Sequence, residues 1–337
     1  MVNRWLPLIL LTTLGSAALA CNIPVFRYAL ERWQPDRCDV LVFHSAPLGR
    51  SDIRELQAVL PDRLEGIPEQ SVAKPLQSLG KVSFIDVASV DGEHKAVWDR
   101  LSKNRLPSLP HVVVRGDVGS VKRFSLWQGS LTEFRQSRIF QSPARTEISR
   151  RLLAGDSVVW VLVTGRDQEK TAKARQLLRQ ELPRLSKQIQ LPEGIGLPGS
   201  ELYSDVPLLV KFSQVELKHD DPQESFLVNL FSSIRSIEVA AGEPLVIPVF
   251  GRGRALEVIP GSELNPQLMT DLTLFLSGAC SCQVKEQNPG FDLLTDRDWN
   301  QELFPGGDQP PPSRSIAPGD RRGQKSKPQL LDIPSGR

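Results

Sequence analysis

The chain has 337 residues, of which 40% are hydrophobic and 24% are charged, so it is long enough for about two domains with packed cores. Its 41 basic and 39 acidic residues give a formal net charge of +2. This near balance, with no basic run that is interleaved with aromatic residues, argues against a nucleic-acid-binding protein.

The first twenty residues have the pattern of a secretory signal peptide. Arg4 gives the positive start, and the apolar run Leu6–Ala20 ends in small residues that fit a cleavage site directly before Cys21. The run is shorter than the roughly 20 residues that a transmembrane helix needs. We therefore predict that residues 1–20 are a signal peptide and that the protein is exported to the periplasm or cell envelope.

Cys21 leaves two states of the mature N-terminus open. A cysteine that directly follows a cleavage site can carry a lipid, as in bacterial lipoproteins, and a membrane is then a partner only through Cys21. The preceding residues Ala18, Leu19 and Ala20 match the lipid-attachment pattern imperfectly. In either state, disulfide bonds can persist in an exported protein.

The first half of the mature chain predicts alternating strands and helices. Short β-branched runs between turn residues favour strands, and apolar residues at helical spacing favour helices. In chain order we predict helix Asn22–Trp33 packed on the first domain, strand Asp39–Ser45, helix Arg50–Leu64, strand Lys81–Ala88, helix Glu93–Asn104, strand Pro110–Gly116, its hairpin partner Val121–Gly129, and helical residues to about Leu153.

The second half repeats this order. We predict strand Asp156–Gly165, helix Arg166–Ile189 with a break near Pro183, strand Val206–Leu217, helix Pro222–Ile234, a hairpin of Pro244–Gly251 and Arg254–Gly261, and helix Asn265–Gly278. The last helix has Pro266 in its first turn and Gly278 at its end, which are favoured positions for these residues.

Each half therefore has the element order βαβαββα, which is similar to that of thioredoxin. Pro110 and Pro244 stand directly before the third strand of each half, where thioredoxin-like folds place a proline that is often cis. We predict an α/β protein of two tandem thioredoxin-like lobes. Residues 21–154 form the first lobe with the N-terminal helix, and residues 155–304 form the second lobe, which ends in a Cys-Ser-Cys segment.

Residues 305–337 differ from the rest of the chain in composition. They are rich in proline, glycine, serine and charged residues, and cannot bury enough apolar surface to offset the entropy of ordering the chain. We predict a disordered C-terminal tail.

The dithiol of thioredoxin is missing from both halves. It belongs at the start of the helix that follows the first strand, where the helix N-terminus lowers a thiol pKa. The corresponding segments, His44–Asp52 and Thr164–Lys170, contain no cysteine. A scaffold without this dithiol is typical of a binding or structural module rather than an enzyme.

Four cysteines remain as candidates for disulfide, thiol or metal chemistry, namely Cys21, Cys38, Cys280 and Cys282. They can form structural bridges, with three possible connectivities. Alternatively, Cys280 and Cys282 form a strained, labile redox pair. A third hypothesis is a copper or zinc site that uses this pair with Cys21 or a histidine, although one Cys-x-Cys is a weak metal signal.

Three further residues are candidates for ligand binding. His44 ends the first strand, a position that often faces a site in α/β folds. Arg252 and Arg254 lie two apart on a strand, so both guanidinium groups share one face and can hold a carboxylate or phosphate. The alternative is a hairpin with glycines at its turn and two solvated arginines.

Three segments, Cys21–Trp33, Val249–Glu257 and Gly278–Leu294, carry a resemblance. Their sequences, CNIPVFRYALERW, VFGRGRALE and GACSCQVKEQNPGFDLL, resemble an uncharacterised family of exported bacterial proteins that begin in Cys-Asn-x-Pro-Val-Phe and end in Cys-Ser-Cys-x-Val-Lys. The resemblance implies export and a thioredoxin-like build, and it brings no known activity. It also implies that Cys21, Cys280 and Cys282 are the family's set, with Cys38 outside it.

From the sequence we expect a non-enzymatic envelope protein that binds an unknown envelope protein or small ligand between its lobes. We predict no cofactor for this function. The alternative is an envelope thiol-redox or copper- or zinc-binding protein that uses Cys280, Cys282 and Cys21.

Overall fold

The computed structural model describes residues 22–60, 79–103, 106–118, 121–237, 239–295, 297–307 and 310. These residues form a mixed α/β structure with two sheets. The predictions for the signal peptide, for Cys21 and for the tail from residue 311 onward lie outside the described residues.

The first sheet follows the predicted element order. In chain order, the structure has α1 Val25–Arg32, β1 Cys38–His44, α2 Arg50–Val59, β2 Leu79–Asp86, α3 Gly92–Ser102, β3 His111–Val118, β4 Val121–Ser130, α4 Leu131–Gln136 and α5 Pro143–Leu153. The strand order is β2-β1-β3-β4. Strands β1 and β2 are parallel, and β3 is antiparallel to both β1 and β4.

The second sheet repeats this arrangement with additional short strands. Its elements are β5 Val158–Val163, α6 Gln168–Gln188, β6 Phe212–Leu217, α7 Ser225–Arg235, β7 Leu245–Phe250, β8 Arg254–Ala255, β9 Ile259–Pro260, α8 Pro266–Ser277, α9 Cys282–Gln287, β10 Phe291–Asp292 and α10 Trp299–Leu303. The strand order is β10-β8-β7-β5-β6, with β9 also on β7. Strands β5 and β6 are parallel, whereas β7 is antiparallel to β5.

The alternation of side chains along the central strands builds three hydrophobic clusters. One cluster, here the central core, combines Val40 and Val42 of β1 with Val159 and Val161 of β5, so it joins both sheets. The opposite face of the first sheet packs under α3. The opposite face of the second sheet packs against α1, α6 and α8. Successive strand residues point to opposite faces, and here both faces are covered.

Helix α1 packs on the second sheet, which differs from our expectation that it packs on the first domain. Its residues Phe26 and Ala29 are buried in the cluster that contains Trp160 and Phe250 of the second sheet. Leu30 reaches the central core from the same helix. The apolar stripe of α1 predicts that one face is buried but does not say against which lobe.

Two further predictions differ from the structure. Helix α6 continues through Pro183, although proline removes one backbone hydrogen bond. Its buried residues Leu178, Leu182 and Leu185 pack on the second sheet on both sides of the proline, and tertiary packing supplies most of the stability of helices in proteins. Strand β6 begins only at Phe212.

Within the described ranges, no helix is long and apolar enough to cross a membrane. The Leu109–Pro110 peptide bond is cis, and no other described peptide bond is.

Candidate functional site

The segment before α1 lies beside the segment between α8 and α9. Pro24 forms an antiparallel bridge with Ala279. The Cys280 amide donates a hydrogen bond of 2.9 Å to the Ile23 carbonyl, and the Val25 amide donates one of 3.0 Å to the Gly278 carbonyl. The segment that follows Cys21 in sequence is therefore paired with the segment that leads into the Cys-Ser-Cys run.

Cys280 and Cys282 follow directly on this paired segment. Cys280 is buried beside Ile23 and Val25 in the cluster on the outer face of the second sheet. Cys282 is the first residue of α9. Cys21 lies outside the described residues, two positions before Ile23. The structure therefore brings Cys280 close to the N-terminal segment, and the bond partner of Cys21 stays a prediction.

Cys38 lies in a different part of the molecule. It is the first residue of β1 and belongs to the central core, whereas Cys280 belongs to the outer cluster. Burial raises the pKa of the Cys38 thiol to about 12, and the nearby Asp39 carboxylate adds to this rise. A thiol with this pKa stays protonated at neutral pH, and the thiolate is the form that attacks disulfides and binds metals.

Arg252 holds the end of α1. Its Nε donates to the Leu30 carbonyl at 2.7 Å, its Nη2 to the Glu31 carbonyl at 2.9 Å, and its Nη1 to Asn300 Oδ1 at 2.8 Å. The last carbonyls of a helix have no partner within the helix, and here a buried arginine supplies two donors to them. Only 4% of Arg252 is exposed, so it is not the solvated side chain that the hairpin alternative predicted.

Arg254 holds the C-terminal segment in the same way. Its Nε donates to the Pro289 carbonyl at 2.8 Å, and its Nη2 donates to the Asn288 carbonyl at 2.8 Å and the Gly290 carbonyl at 3.0 Å. Its Nη1 lies 2.8 Å from Asp36 Oδ2. Both arginines therefore direct their donors at internal acceptors, and the prediction that they bind an external ligand receives no support from this geometry.

Asp292 lies beside Arg254 in a nearly closed environment. Its Oδ2 accepts a 2.8 Å hydrogen bond from the Asp36 amide and lies 3.7 Å from Arg254 Nη1. Its Oδ1 is buried and has no hydrogen-bond partner among the described residues. Burial raises the pKa of Asp292 to about 7, although Arg254 acts in the opposite direction. The protonation of Asp292 is therefore set by its burial, which Arg254 opposes.

A glycine in the turn between β7 and β8 permits the close approach of α1. Gly251 has a φ of +58°, and a Cβ atom at this position would lie 2.7 Å from Ala29 Cβ. Side chains are disfavoured both by the positive φ and by this contact. The segments 22–33, 249–257 and 278–294 therefore meet, since the turn after β7 contacts α1 through Gly251 and the C-terminal segment through Arg254.

A second set of buried charges could not be recognised in the sequence. Arg27 donates to Glu31 Oε1 at 2.9 Å, to the Val206 carbonyl at 2.6 Å and to the Ser204 carbonyl at 2.7 Å. Glu31 Oε1 also accepts from the Tyr203 amide at 3.0 Å and the Ser204 amide at 3.1 Å. These contacts join α1 to the loop before β6, in which Val206 lies although we predicted it as part of the strand.

Arg145 is a fourth buried arginine that binds backbone carbonyls. Its Nη1 donates to the carbonyls of Ile139, Leu293 and Leu294, at 2.5, 3.2 and 3.0 Å. Leu294 has a φ of +54°, a conformation that is uncommon for residues other than glycine. Arg145 belongs to α5 of the first lobe, so it connects that lobe to the C-terminal segment.

The histidines do not assemble into a site. His44 ends β1, and its buried Nδ1 has no hydrogen-bond partner among the described residues. Burial lowers the pKa of His111, the first residue of β3. In the part of the chain that the structure describes, no three His, Cys, Asp or Glu side chains cluster in a way that could hold a metal ion. Cys21 and the side chain of Cys282 lie outside this part.

The region between the two sheets is filled rather than open. Helix α7 packs against β4, and β10 packs against β3, with the central core continuous across both sheets. A cavity beside Arg27 and Gly251 has a volume of about 10 Å³, room for about one water molecule. A larger cleft of about 390 Å³ lies on the first lobe, along β2 and the start of α3. A binding surface is therefore expected outside the lobe interface.

Comparisons with known proteins identify no family for this chain. No protein-family model matches the chain, and no curated protein matches it.

Proposed function

We propose that this chain is an exported, non-enzymatic envelope protein that binds a partner on a redox-inactive scaffold of two thioredoxin-like lobes. The observation that carries the proposal is the lack of a cysteine pair where the first helix of each lobe begins. Helix α2 begins at Arg50 and helix α6 at Gln168, and neither segment contains the dithiol that thioredoxin chemistry requires there.

The strand arrangement supports the proposal that the two lobes have the same build. In each sheet, the first strand has a parallel neighbour on one side and an antiparallel neighbour on the other, and the hairpin follows the antiparallel one. Both lobes therefore share one topology, β2-β1-β3-β4 and β6-β5-β7-β8. This is the order expected for the thioredoxin-like build that we propose.

The buried arginines support a structural rather than a catalytic role for α1 and for the turn after β7. Arg27, Arg252 and Arg254 bind carbonyls of the chain itself. Charge-assisted hydrogen bonds of this kind are strong and directional. They hold α1 and the C-terminal segment against the second lobe, which suits a rigid binding module.

A thiol–disulfide exchange assay tests the non-enzymatic function. The chain is purified with the N-terminus that the cell leaves on it, and reduction of insulin by dithiothreitol is followed with the wild type, Cys280→Ser and Cys282→Ser. We expect all three to match the rate without protein. Turnover by the wild type that Cys280→Ser abolishes would overturn the proposal.

The alternative function is a thiol-redox or copper- or zinc-binding protein that uses Cys280, Cys282 and Cys21. It is favoured by the bond between the Cys280 amide and the Ile23 carbonyl, which pairs the two cysteine-bearing segments. Thiol counting and elemental analysis of the native, unreduced protein separate the hypotheses. Reactive thiols together with a stoichiometric metal support the alternative, whereas their absence leaves structural bridges.

Export and lipidation are tested by the same preparation. Intact-mass analysis of the protein from cell fractions gives the first residue and any acyl groups on it. Cleavage before Cys21 is the expected result, and a protein that starts at Met1 in the cytoplasmic fraction contradicts export.

A further inference from the structure

Strand β2 is the edge of the first sheet. Its neighbour is β1, and within the described ranges no strand pairs with its other side. An edge strand presents a row of backbone donors and acceptors that can pair with another chain. Natural proteins often cover such edges, so the residues of this one decide what it can accept.

The direction of the backbone groups of β2 follows from two hydrogen bonds. The Val87 amide donates to the His44 carbonyl of β1 at 2.9 Å, and the Lys81 amide donates to Asp39 Oδ1 at 2.8 Å. Odd-numbered residues of β2 therefore direct their backbone groups toward β1. Since the direction alternates along a strand, the even-numbered residues direct theirs outward.

The outward-directed residues of β2 are Gly80, Val82, Phe84 and Asp86, and the last three are the ones that this proposal uses. Phe84 is the middle one of the three, and 45% of it is exposed, which is unusual for a large apolar side chain in a strand. The cleft of about 390 Å³ runs along the same strand. Backbone groups and an exposed aromatic ring are thus available together at this edge.

The charges along this edge are opposite at its two ends. Lys81 lines the cleft near the start of β2, Asp86 lines it at the last residue of the strand, and Asp91 lines it beyond the strand. All three residues are exposed. Asp91 precedes α3 and makes no side-chain hydrogen bond that caps the helix.

We propose that β2 is a homodimer interface, at which a second copy of this chain adds its own β2 in antiparallel orientation. The two four-stranded sheets then form one continuous sheet across a twofold axis. The proposal concerns a surface of the first lobe and does not depend on the proposed function.

The twofold arrangement matches the residues in backbone pairing. With Phe84 opposite the partner's Phe84, Val82 lies opposite the partner's Asp86, and all of these residues have outward-directed backbone groups. Antiparallel strands exchange hydrogen bonds between residues in such opposing pairs. The two aromatic rings also meet on the same face, where cross-strand aromatic pairs are favourable.

The charges match this arrangement as well. Lys81 is odd-numbered like Ile85, so it lies on the face of the sheet that packs under α3, whereas Asp86 lies on the opposite face. Antiparallel pairing brings Lys81 of one copy toward the end of the other β2 that leads to Asp91 and α3, twice per dimer. A parallel arrangement would place like charges together, which costs stability. This complementarity of the edge with itself favours a second copy over an unrelated strand.

Light scattering coupled to size-exclusion chromatography tests the proposal. The chain is purified with the N-terminus that the cell leaves, and its mass is measured from about 1 to 100 µM, a range typical of moderate association. We expect a dimer for the wild type at the upper end. Phe84→Lys places two like charges at the axis and should give a monomer.

Leu274→Lys is the matched control for this substitution. Leu274 is 53% exposed and lies on α8, on the outer side of the second sheet. It should leave the dimer unchanged. A wild type that is monomeric throughout, or a dimer that Phe84→Lys does not weaken, overturns the proposal.

Charge reversal gives a second test at exposed positions, where folding is not at risk. Lys81→Glu should weaken the dimer at least tenfold, because it places a carboxylate near the partner's Asp91. The double variant Lys81→Glu/Asp91→Lys should restore most of the affinity. An unchanged dissociation constant in Lys81→Glu contradicts the antiparallel arrangement.

Hydrogen exchange locates the interface. The amides of Val82, Phe84 and Asp86 should become protected as protein concentration rises. Protection that does not depend on concentration would mean that the chain covers this edge itself, and the proposal would then be wrong.

Discussion

Arg27 Nε lies 2.9 Å from Glu31 Oε1, with only 1% of the arginine side chain and 0% of the glutamate side chain exposed to solvent. Removing two charges from water costs several kcal/mol per ion, and attraction between them offsets this only if further hydrogen bonds complete the geometry. Here those bonds come from the loop before β6, in which the Tyr203 and Ser204 amides donate to Glu31. The pair therefore depends on that loop.

Substituting Arg27→Met should lower the free energy of unfolding by about 3 kcal/mol, because it leaves Glu31 buried without its main partner. We place the effect at the lower end of the usual range since Arg32 Nη1 remains 3.1 Å from Glu31 Oε2. Urea denaturation followed by circular dichroism measures the change.

Lys95→Met is the control for this prediction. Lys95 forms an ion pair with Asp99 at the same helical spacing, but both side chains are more than half exposed. Exposed pairs contribute about 0–1 kcal/mol. Equal effects of the two substitutions would contradict a special role for the buried pair.

The order of strands and helices could be predicted because each central strand is a short β-branched run. Val158–Val163 illustrates this, since all of its six residues are buried and both of its faces lie in clusters. Such runs are typical of strands that are covered on both sides. The predicted strands 39–45 and 81–88 agree with β1 and β2 within two residues at each end.

The buried polar contacts could not be predicted, because they depend on segments that are distant in sequence. Arg27 and Glu31 stand four apart on a helix, a spacing that is common for exposed ion pairs. Arg252 and Arg254 alternate with glycines, which is typical of a solvated turn. Arg27 binds the Ser204 carbonyl 177 positions away, and Arg252 binds the Leu30 carbonyl 222 positions away.

Arg252→Lys should destabilise the protein in the absence of any ligand. A lysine ammonium is a compact charge and cannot reach the Leu30 carbonyl, the Glu31 carbonyl and Asn300 together as the guanidinium does. The loss of one or two hydrogen bonds to a charged group should cost about 2–4 kcal/mol, measured by urea denaturation.

Arg150→Lys provides the comparison for Arg252→Lys. Arg150 binds Glu147, and 62% of its side chain is exposed, so the change should be within about 0.5 kcal/mol. If Arg252→Lys were equally mild, the buried arginine would have no structural role, and the ligand-binding prediction would regain support.

Cys38 should resist alkylation in the folded protein. Burial blocks access to it, and a pKa of about 12 makes its thiolate fraction at neutral pH about 10³-fold smaller than that of an ordinary cysteine. Iodoacetamide labelling followed by peptide mass spectrometry should find Cys38 unmodified in buffer and modified in urea. Rapid labelling in buffer would show that the start of β1 opens readily.

Asp292 should make stability fall as the pH rises from about 4 to about 7. Its pKa is raised from an ordinary 3.8 to about 7 in the folded protein. Between these values the folded state binds a proton that the unfolded state has released. The contribution of Asp292 is therefore fully present below about pH 4 and is lost as the pH passes through 7.

Asp292→Asn isolates this contribution from those of other carboxylates. An asparagine oxygen can still accept the Asp36 amide hydrogen but does not titrate. The difference in unfolding free energy between wild type and variant should change by up to about 1.4 kcal/mol per pH unit between pH 4 and 7, to the disadvantage of the wild type as the pH rises. Urea denaturation at half-unit pH steps gives this slope. Parallel curves for the two proteins would mean that Asp292 is already ionised at pH 4 and that Arg254 outweighs its burial.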